Sequence, residues 1–246
     1  MTRSEPRLRF QSAARTHAGA VRSLNEDRFL DRPERRLWAV ADGMGGHLEG
    51  DVASSLVTEA LERLGPFASG YAFLKGVTEC LEQANAALVA RSAARPGGGV
   101  SGATVVALLV EDRHAACVWA GDSRAYHWSA GGLARLTRDH SLVQDLVDAG
   151  ALDAAAAGSD RRAHVITRAV GATSGLELDQ AFAPVAVGDR FLLCSDGLTG
   201  AVSDDEIGRL LAASAIEAAA DALLDLALSR RPTDNVTLVA IEAVAA

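Results

Sequence analysis

Two hydrophobic rhythms divide this chain. Short apolar runs rich in β-branched residues read as strands. They are LRFQSAA (8–14), DRFLD (27–31), RLWAVAD (36–42), ATVVALLVE (103–111), HAACVWAGD (114–122), RAYHWS (124–129), RFLLCSD (190–196) and NVTLVAIEA (235–243). EDRH (111–114) and SAGG (129–132) separate neighbouring runs and read as hairpin turns. A helical rhythm fills much of the rest. Residues 49–64 place Val52, Leu56, Ala60 and Leu64 on one stripe, with charges opposite. Residues 71–94, 204–214 and 216–231 predict three more helices, and 204–214 opens with acidic residues in its first turn. Strands come in groups, and helices come in pairs between the groups. That order predicts an α+β layered domain rather than βαβ alternation. RPGGGVSG (95–102) is expected to be a loop, because the apolar strand after it needs the rest of the core. The Ala-rich stretch DAGALDAAAAGSDRRAH (148–164) is weakly patterned and is expected to belong to a mobile flap.

Composition narrows the function classes. A chain of 246 residues suits one large domain, and 49% hydrophobic residues give it a sizeable core. The formal net charge of −8 argues against a nucleic-acid binder. It suits a site built from carboxylates and filled by cations, and equally a solvated acidic surface. Cys80, Cys117 and Cys194 are an odd count without CxxC spacing, so neither a disulfide framework nor a zinc site is expected. MTRSEPRLRF holds no apolar stretch for a signal peptide, and no run approaches the ~20 apolar residues of a membrane helix. A cytoplasmic, monomeric protein is the expectation.

The candidate chemistry lies at strand ends. WAVADGMGGH (38–47) delivers Asp42 to a loop of glycines, and FLLCSDG (191–197) does the same with Asp196. Asp122 ends HAACVWAGD, and Asp234 begins TDNVTLVAI. A single Asp-Gly is ordinarily a turn dipeptide. Four carboxylates at the ends of core strands are another matter. Gathered on one edge, they would repel and raise one another's pKa. Hard divalent cations resolve that, since Mg²⁺ and Mn²⁺ favour carboxylate, carbonyl and water ligands. Gly43 lets the main chain approach a metal, and Gly45 and Gly46 permit a sharp exit into the helix near residue 49.

A wider set of motifs now becomes recognisable. RSLNEDRFL (22–30), WAVADGMGGHLEGDVAS (38–54), SGATVV (101–106), AGDSRAY (120–126), LTRDHSLVQDLVDAG (136–150), ITRAVG (166–171), LLCSDGLT (192–199) and TDNVTLV (233–239) occur in this order. Together they resemble the bacterial branch of the metal-dependent, type 2C serine/threonine protein phosphatases, from about residue 12 to residue 240. The resemblance implies one catalytic domain over 1–246 with a flap subdomain at about 141–165. Its fold would be a four-layer α/β/β/α sandwich, a central antiparallel β-sandwich flanked by helix pairs. It implies hydrolysis of phosphoserine and phosphothreonine by water activated between two Mn²⁺ or Mg²⁺ ions. Asp42 would bridge both ions, the Gly43 carbonyl would bind one, and Asp196 and Asp234 would hold the other. Asp122 would anchor a third, weaker metal. Arg22 would bind the substrate phosphate, Glu26 and Asp27 would hold metal-bound waters, and Asn235 would support the ligand loop.

Departures from the pattern matter. Many eukaryotic relatives place a His directly after the Asp-Gly pair as an acid for the leaving group; Met44 stands here and cannot donate a proton. His47 lies three residues on and is a lesser candidate. Gly200 replaces the acidic residue that many relatives carry four positions after Asp196, so a third metal leans on Asp122. His140 is expected to be a structural or flap-anchoring residue rather than a ligand. Ser54, Thr104, Ser123 and Cys194 sit in no G-x-S-x-G elbow and are expected to play core or turn roles. Two rivals remain: a regulatory or binding module of the same fold, and a hydrolase of small phosphates. No P-loop or dinucleotide fingerprint favours nucleotides. Expected partners are phosphorylated proteins and a cognate Ser/Thr kinase. The N-terminal stretch SAARTHAGAVRSLNEDRFLDRPERRLWAVADGMGGH resembles stand-alone phosphatases associated with type VI secretion.

Overall fold

Strands at the centre of this protein are buried on both faces, so they read as continuous apolar runs. In β3 (Leu37–Met44), Trp38 and Val40 point into one core cluster, and Leu37, Ala39 and Ala41 into another. In β5 (Val105–Glu111), Val106, Leu108 and Val110 join Trp38, while Val105, Ala107 and Leu109 face the other way. The computed structural model describes residues 7–45, 49–95, 99–158 and 160–246.

Two antiparallel sheets result. One contains β2 (Asp27–Arg32), β3, β5, β6 (His114–Ala120) and β9 (Asp179–Pro184) in that order, with β4 (Gly102–Ala103) paired to the end of β3. The other runs β1 (Leu8–His17), β11 (Val236–Ala245), β10 (Arg190–Cys194), β7 (Arg124–Ser129), β8 (Gly132–Arg135). Their inner faces form the middle cluster, where Trp38 and Val106 meet Phe191, Val239 and Ile241. Helices α1 (Glu49–Glu62) and α2 (Gly70–Ala93) cover the first sheet. Helices α6 (Asp204–Ala213) and α7 (Ile216–Ser229) cover the second, burying Leu211, Ala220 and Leu223 against Leu192, Leu238 and Ala240. The four-layer α/β/β/α sandwich is the observed architecture.

Several expectations need correction. Asp42 does not end its strand: β3 continues to Met44, because Gly43 and Met44 pair with Ala103 and Gly102 of β4. The Val52/Leu56/Ala60/Leu64 stripe is only partly buried. The core face of α1 is Gly50, Ala53, Ser54, Val57, Thr58 and Leu61, because its small residues let the helix lie close on β2 and β3. Strand β9 escaped the sequence reading. It is an edge strand paired to β6 alone, it ends in Pro184, and it leaves Phe182 exposed, so it carries little apolar signal.

Residues 141–165 run between two ends that are joined to each other. Ser141 bridges to Ile166, and Leu142 N–H donates to Val165 O at 2.8 Å. Between them lie α3 (Leu142–Asp148), capped by Ser141, and the short α4 (Ala154–Ala157), capped by Asp153. Helix α5 (Asp196–Thr199) is one turn that opens directly after β10. Among the described residues no helix is long and apolar enough to cross a membrane.

Candidate metal centre

The two sheets meet at one edge, and the acidic residues come from both. Asp27 opens β2 and lies directly across from Asp42 in the strand register. Asp122 follows β6, Asp196 follows β10, and Asp234 precedes β11. Asp42 and Asp196 lie close enough to act on each other's carboxyls. The carboxyl of Asp42 is held well above the usual carboxylate range, first by burial and then by Asp27, Asp196, Asp122 and Asp234. Burial, chiefly, lifts Asp27 to about 6. Asp122 rises to about 7 through burial, then Asp196 and Asp139. Asp196 is raised too, by burial and by Asp234. The sequence placed these four strand-end carboxylates apart; the fold brings them into one electrostatic unit.

This arrangement fits hard divalent cations. Oδ1 of Asp27 and Oδ1 of Asp196 are buried, and neither has a hydrogen-bond partner among the described residues. Buried, unpaired carboxylate oxygens are costly unless a cation meets them. Among the described residues no three His, Cys, Asp or Glu side chains converge on one point. Each ion would then draw on few carboxylates, with main-chain oxygen and water completing the shell, as Mg²⁺ prefers.

Gly43 is indispensable to the packing here. A Cβ on it would lie 2.1 Å from Gly50 O and 2.6 Å from Glu26 O. A Cβ on Gly50 would in turn meet Glu26 Oε1 at 2.7 Å. Three backbones therefore touch at this corner, and Ser54 Oγ donates to Glu26 O at 2.5 Å. Glu26 thus has its carboxylate beside the start of α1, and its main chain braces the glycine. Gly46 and His47 lie outside the described residues.

Asn235 ties the loop before β2 to the last strand. Its Nδ2 donates to Ala18 O at 3.0 Å and Leu24 O at 2.9 Å, and its Oδ1 accepts from Glu26 N–H at 2.8 Å. The loop so fixed carries Arg22, whose Nη2 donates to Asp234 Oδ2 at 2.9 Å. Arg22 is half exposed and so is reachable by a ligand. The other Asp234 oxygen accepts from Asn235 N–H at 2.9 Å.

Sequence reasoning missed three supports. Ser195 is fully buried; its Oγ donates to Asp27 Oδ2 at 2.8 Å and accepts from Thr237 N–H at 3.0 Å. Thr104 Oγ1 accepts from Asp42 N–H at 3.1 Å and pairs with Ser123 Oγ at 2.7 Å. Both hydroxyls thus hold the backbone under Asp42. His164, on the flap, places Nδ1 3.7 Å from Asp196 Oδ2, with its ring 85% exposed. No spacing links residues 164 and 196, so only the fold reveals that contact. His140 is buried. It accepts at Nδ1 from Gly121 N–H at 3.2 Å, contacts Asp179 through Nε2 at 3.1 Å, and stacks on Trp119.

A pH dependence follows from the raised carboxyls. A group whose folded pKa is raised stabilises the fold below its unfolded pKa, near 4 for Asp. That stability is lost as pH rises through the folded values, about 6 for Asp27 and about 7 for Asp122. Metal-free protein should therefore lose roughly 4 kcal/mol between pH 5 and pH 8, a fall in Tm of roughly 8–16 °C. Mn²⁺ should flatten that slope. Thermal unfolding in EDTA and in Mn²⁺ across this range checks it; equal slopes would remove the carboxylate cluster as the cause.

Comparison with known proteins agrees with this geometry. The sequence profile of the family described as Protein phosphatase 2C matches residues 7–145. The serine/threonine protein phosphatase PstP of Mycobacterium tuberculosis is 37% identical over 234 residues, covering 94% of this chain. This chain spans 45% of the length of that curated relative. Among solved structures, PppA, a key regulatory component of the type VI secretion system in Pseudomonas aeruginosa, superposes with a TM-score of 0.88 and 40% identity, covering 96% of this chain and 98% of that one. The catalytic domain of the serine/threonine protein phosphatase PstP, in complex with two manganese ions, gives a TM-score of 0.87 at 36% identity, covering 96% and 99%. A profile match over more than half of the chain, on a sandwich whose two sheets share one acidic edge, means that this chain belongs to the protein phosphatase 2C family.

Proposed function

We propose that this chain hydrolyses phosphoserine and phosphothreonine in proteins, using two Mn²⁺ or Mg²⁺ ions at the shared edge of its sheets. The observation that carries the reading is the buried carboxylate cluster of Asp42, Asp196, Asp27 and Asp122 with Arg22 beside it. Asp42 would hold both ions, the Gly43 carbonyl would serve one, and Asp196 and Asp234 would serve the other. Asp122 would hold a third, weaker ion. When bound, the ions supply a nucleophilic water at neutral pH and neutralise charge on the phosphoryl group. Glu26 and Asp27 accept hydrogen bonds from water at the rim of the centre, and Ser195 orients Asp27 for that task. The whole of 1–246 acts as one catalytic domain, with residues 141–165 as its flap.

Turnover of a phosphothreonine peptide, with and without EDTA, tests the proposal. EDTA should abolish release of phosphate and Mn²⁺ should restore it. Full activity in EDTA, or equal preference for free nucleotides, would overturn it.

Arg22 binds the substrate phosphate in this reading. Its Nη2 donates to Asp234 in this structure, and with Asp234 holding a cation the planar fork would be available to two phosphoryl oxygens. Arg22→Ala should raise KM about tenfold or more, while calorimetric Mn²⁺ affinity is not weakened. Arg22→Lys should rescue only in part, because an ammonium lacks the fork. An unchanged KM in Arg22→Ala would reassign the side chain to an ion pair alone.

The physiological setting is read from similarity. The likeness to the secretion-system regulator PppA supports type VI secretion as its context. A cognate Ser/Thr kinase that it opposes, the cytoplasm as its place of action and a monomeric state belong to the same proposal.

A further inference from the structure

We propose that the cleft between the flap and strands β7 and β8 receives an anionic side chain of the substrate, near in sequence to the phosphorylated residue, with Arg135 as its receptor. The proposal rests on the phosphatase reading and names a feature of its substrates.

The cleft holds about 490 Å³. It is lined by Asp122 and Asp196 of the metal centre and also by Arg135, so it is continuous with the place where a phosphate would sit. Its flap wall is small and apolar, with Val143, Val147, Ala154 and Ala157. Gly200 contributes no side chain to the floor, where a carboxylate would repel an anion.

The charges in the cleft do not balance. Arg124 and Asp139 satisfy each other: Nε donates at 2.9 Å and Nη2 at 2.7 Å, a forked pair. Asp122 and Asp196 are committed to cations in the loaded enzyme. Arg135 is left over. Its nearest carboxylate among the described residues is Asp139, 3.8 Å away, too far for a hydrogen bond and already taken by Arg124. The Arg135 side chain is 30% exposed. A guanidinium partly withdrawn from water, with donors to spare, is a receptor for carboxylate or phosphate. Arg135 closes edge strand β8, opposite Tyr126 in β7, so its backbone is fixed while its side chain faces the cleft.

The test uses phosphothreonine peptides that differ at one position, two to five residues from the phosphothreonine. That position carries Gln, Glu, Lys or a second phosphothreonine. Wild-type kcat/KM should be about tenfold higher for an anionic residue than for Gln at one or more of these spacings. In Arg135→Gln the ratio of anionic to neutral peptide should fall to about one. In Arg135→Glu it should invert in favour of Lys. Val147→Asp, which puts a carboxylate on the opposite wall, should also lower the ratio and keeps the test open should the Arg135 variants fail to fold. A larger gain from the second phosphate points to multiply phosphorylated segments as substrates, and a larger gain from Glu to acidic ones; both support the subsite. Turnover without anionic preference in the wild type, or a preference that survives in Arg135→Gln, would sink the subsite alone. No turnover of any peptide by the wild type would sink the phosphatase reading and the subsite with it.

Discussion

Asp42→Asn is expected to lower phosphothreonine-peptide turnover on the order of 10³-fold. The reason is position. Asp42 is the carboxylate on which Asp27, Asp122, Asp196 and Asp234 all act, so on the proposed reading its charge would serve both ions. Loss of that charge should weaken binding of both tight ions in calorimetry. The same substitution should stabilise the metal-free protein, because a neutral amide no longer faces burial and four nearby carboxylates. A gain of about 2–6 °C in Tm in EDTA is expected. Mn²⁺ should add little further. A variant that keeps its Mn²⁺-dependent rise in Tm would deny Asp42 its bridging role, whatever its activity.

Asp122→Ala should separate two kinds of substrate. Asp122 is buried between Asp196 and Asp139, and Gly200 brings no second carboxylate to its side. An ion held mainly by Asp122 and water is weak, since Mg²⁺ sheds its waters reluctantly. Two tight ions should therefore remain in calorimetry. Turnover of a phosphothreonine peptide should fall about 10²-fold, the lower end of what acid catalysis contributes. Turnover of p-nitrophenyl phosphate should fall far less, because its leaving group needs little protonation. Met44 offers no proton, which is why the Asp122 side of the centre is assigned this task. Equal rates before and after substitution would return Asp122 to the class of turn residues.

Much of this architecture was legible in the sequence. Doubly buried strands such as Leu37–Met44 and Val105–Glu111 announce themselves as unbroken apolar runs. Asp-Gly after such a run marks where a strand delivers a carboxylate. What stayed hidden was set by contacts distant in sequence. The α1 stripe was misread because packing on a sheet favours the small face, Ala53 and Ser54, over the larger Val52 and Leu56. Strand β9 was missed because an edge strand needs only one apolar neighbour. The pairing of Arg22 with Asp234, and the three bonds of Asn235, span more than 200 residues and leave no periodicity behind. Ser195 was overshadowed by the Asp196 next to it, although it orients Asp27.

Asn235 and β11 also decide when the protein can work. Strand β11 lies between β1 and β10, so it follows both of its neighbours in the chain and is central to its sheet. The loop bearing Arg22 is held in place by an amide made more than 200 residues after it. A nascent chain on the ribosome that has not yet exposed residues 234–245 lacks Asp234, the brace for Arg22, and the partner of β1 along its whole length. The other acidic residues and both helix pairs precede β11 in the chain, but α6 and α7 still lack Leu238 and Ala240 to pack on. On the proposed reading, catalytic competence therefore waits on residues 234–245, and a chain that stops short of them should release no phosphate from a phosphothreonine peptide.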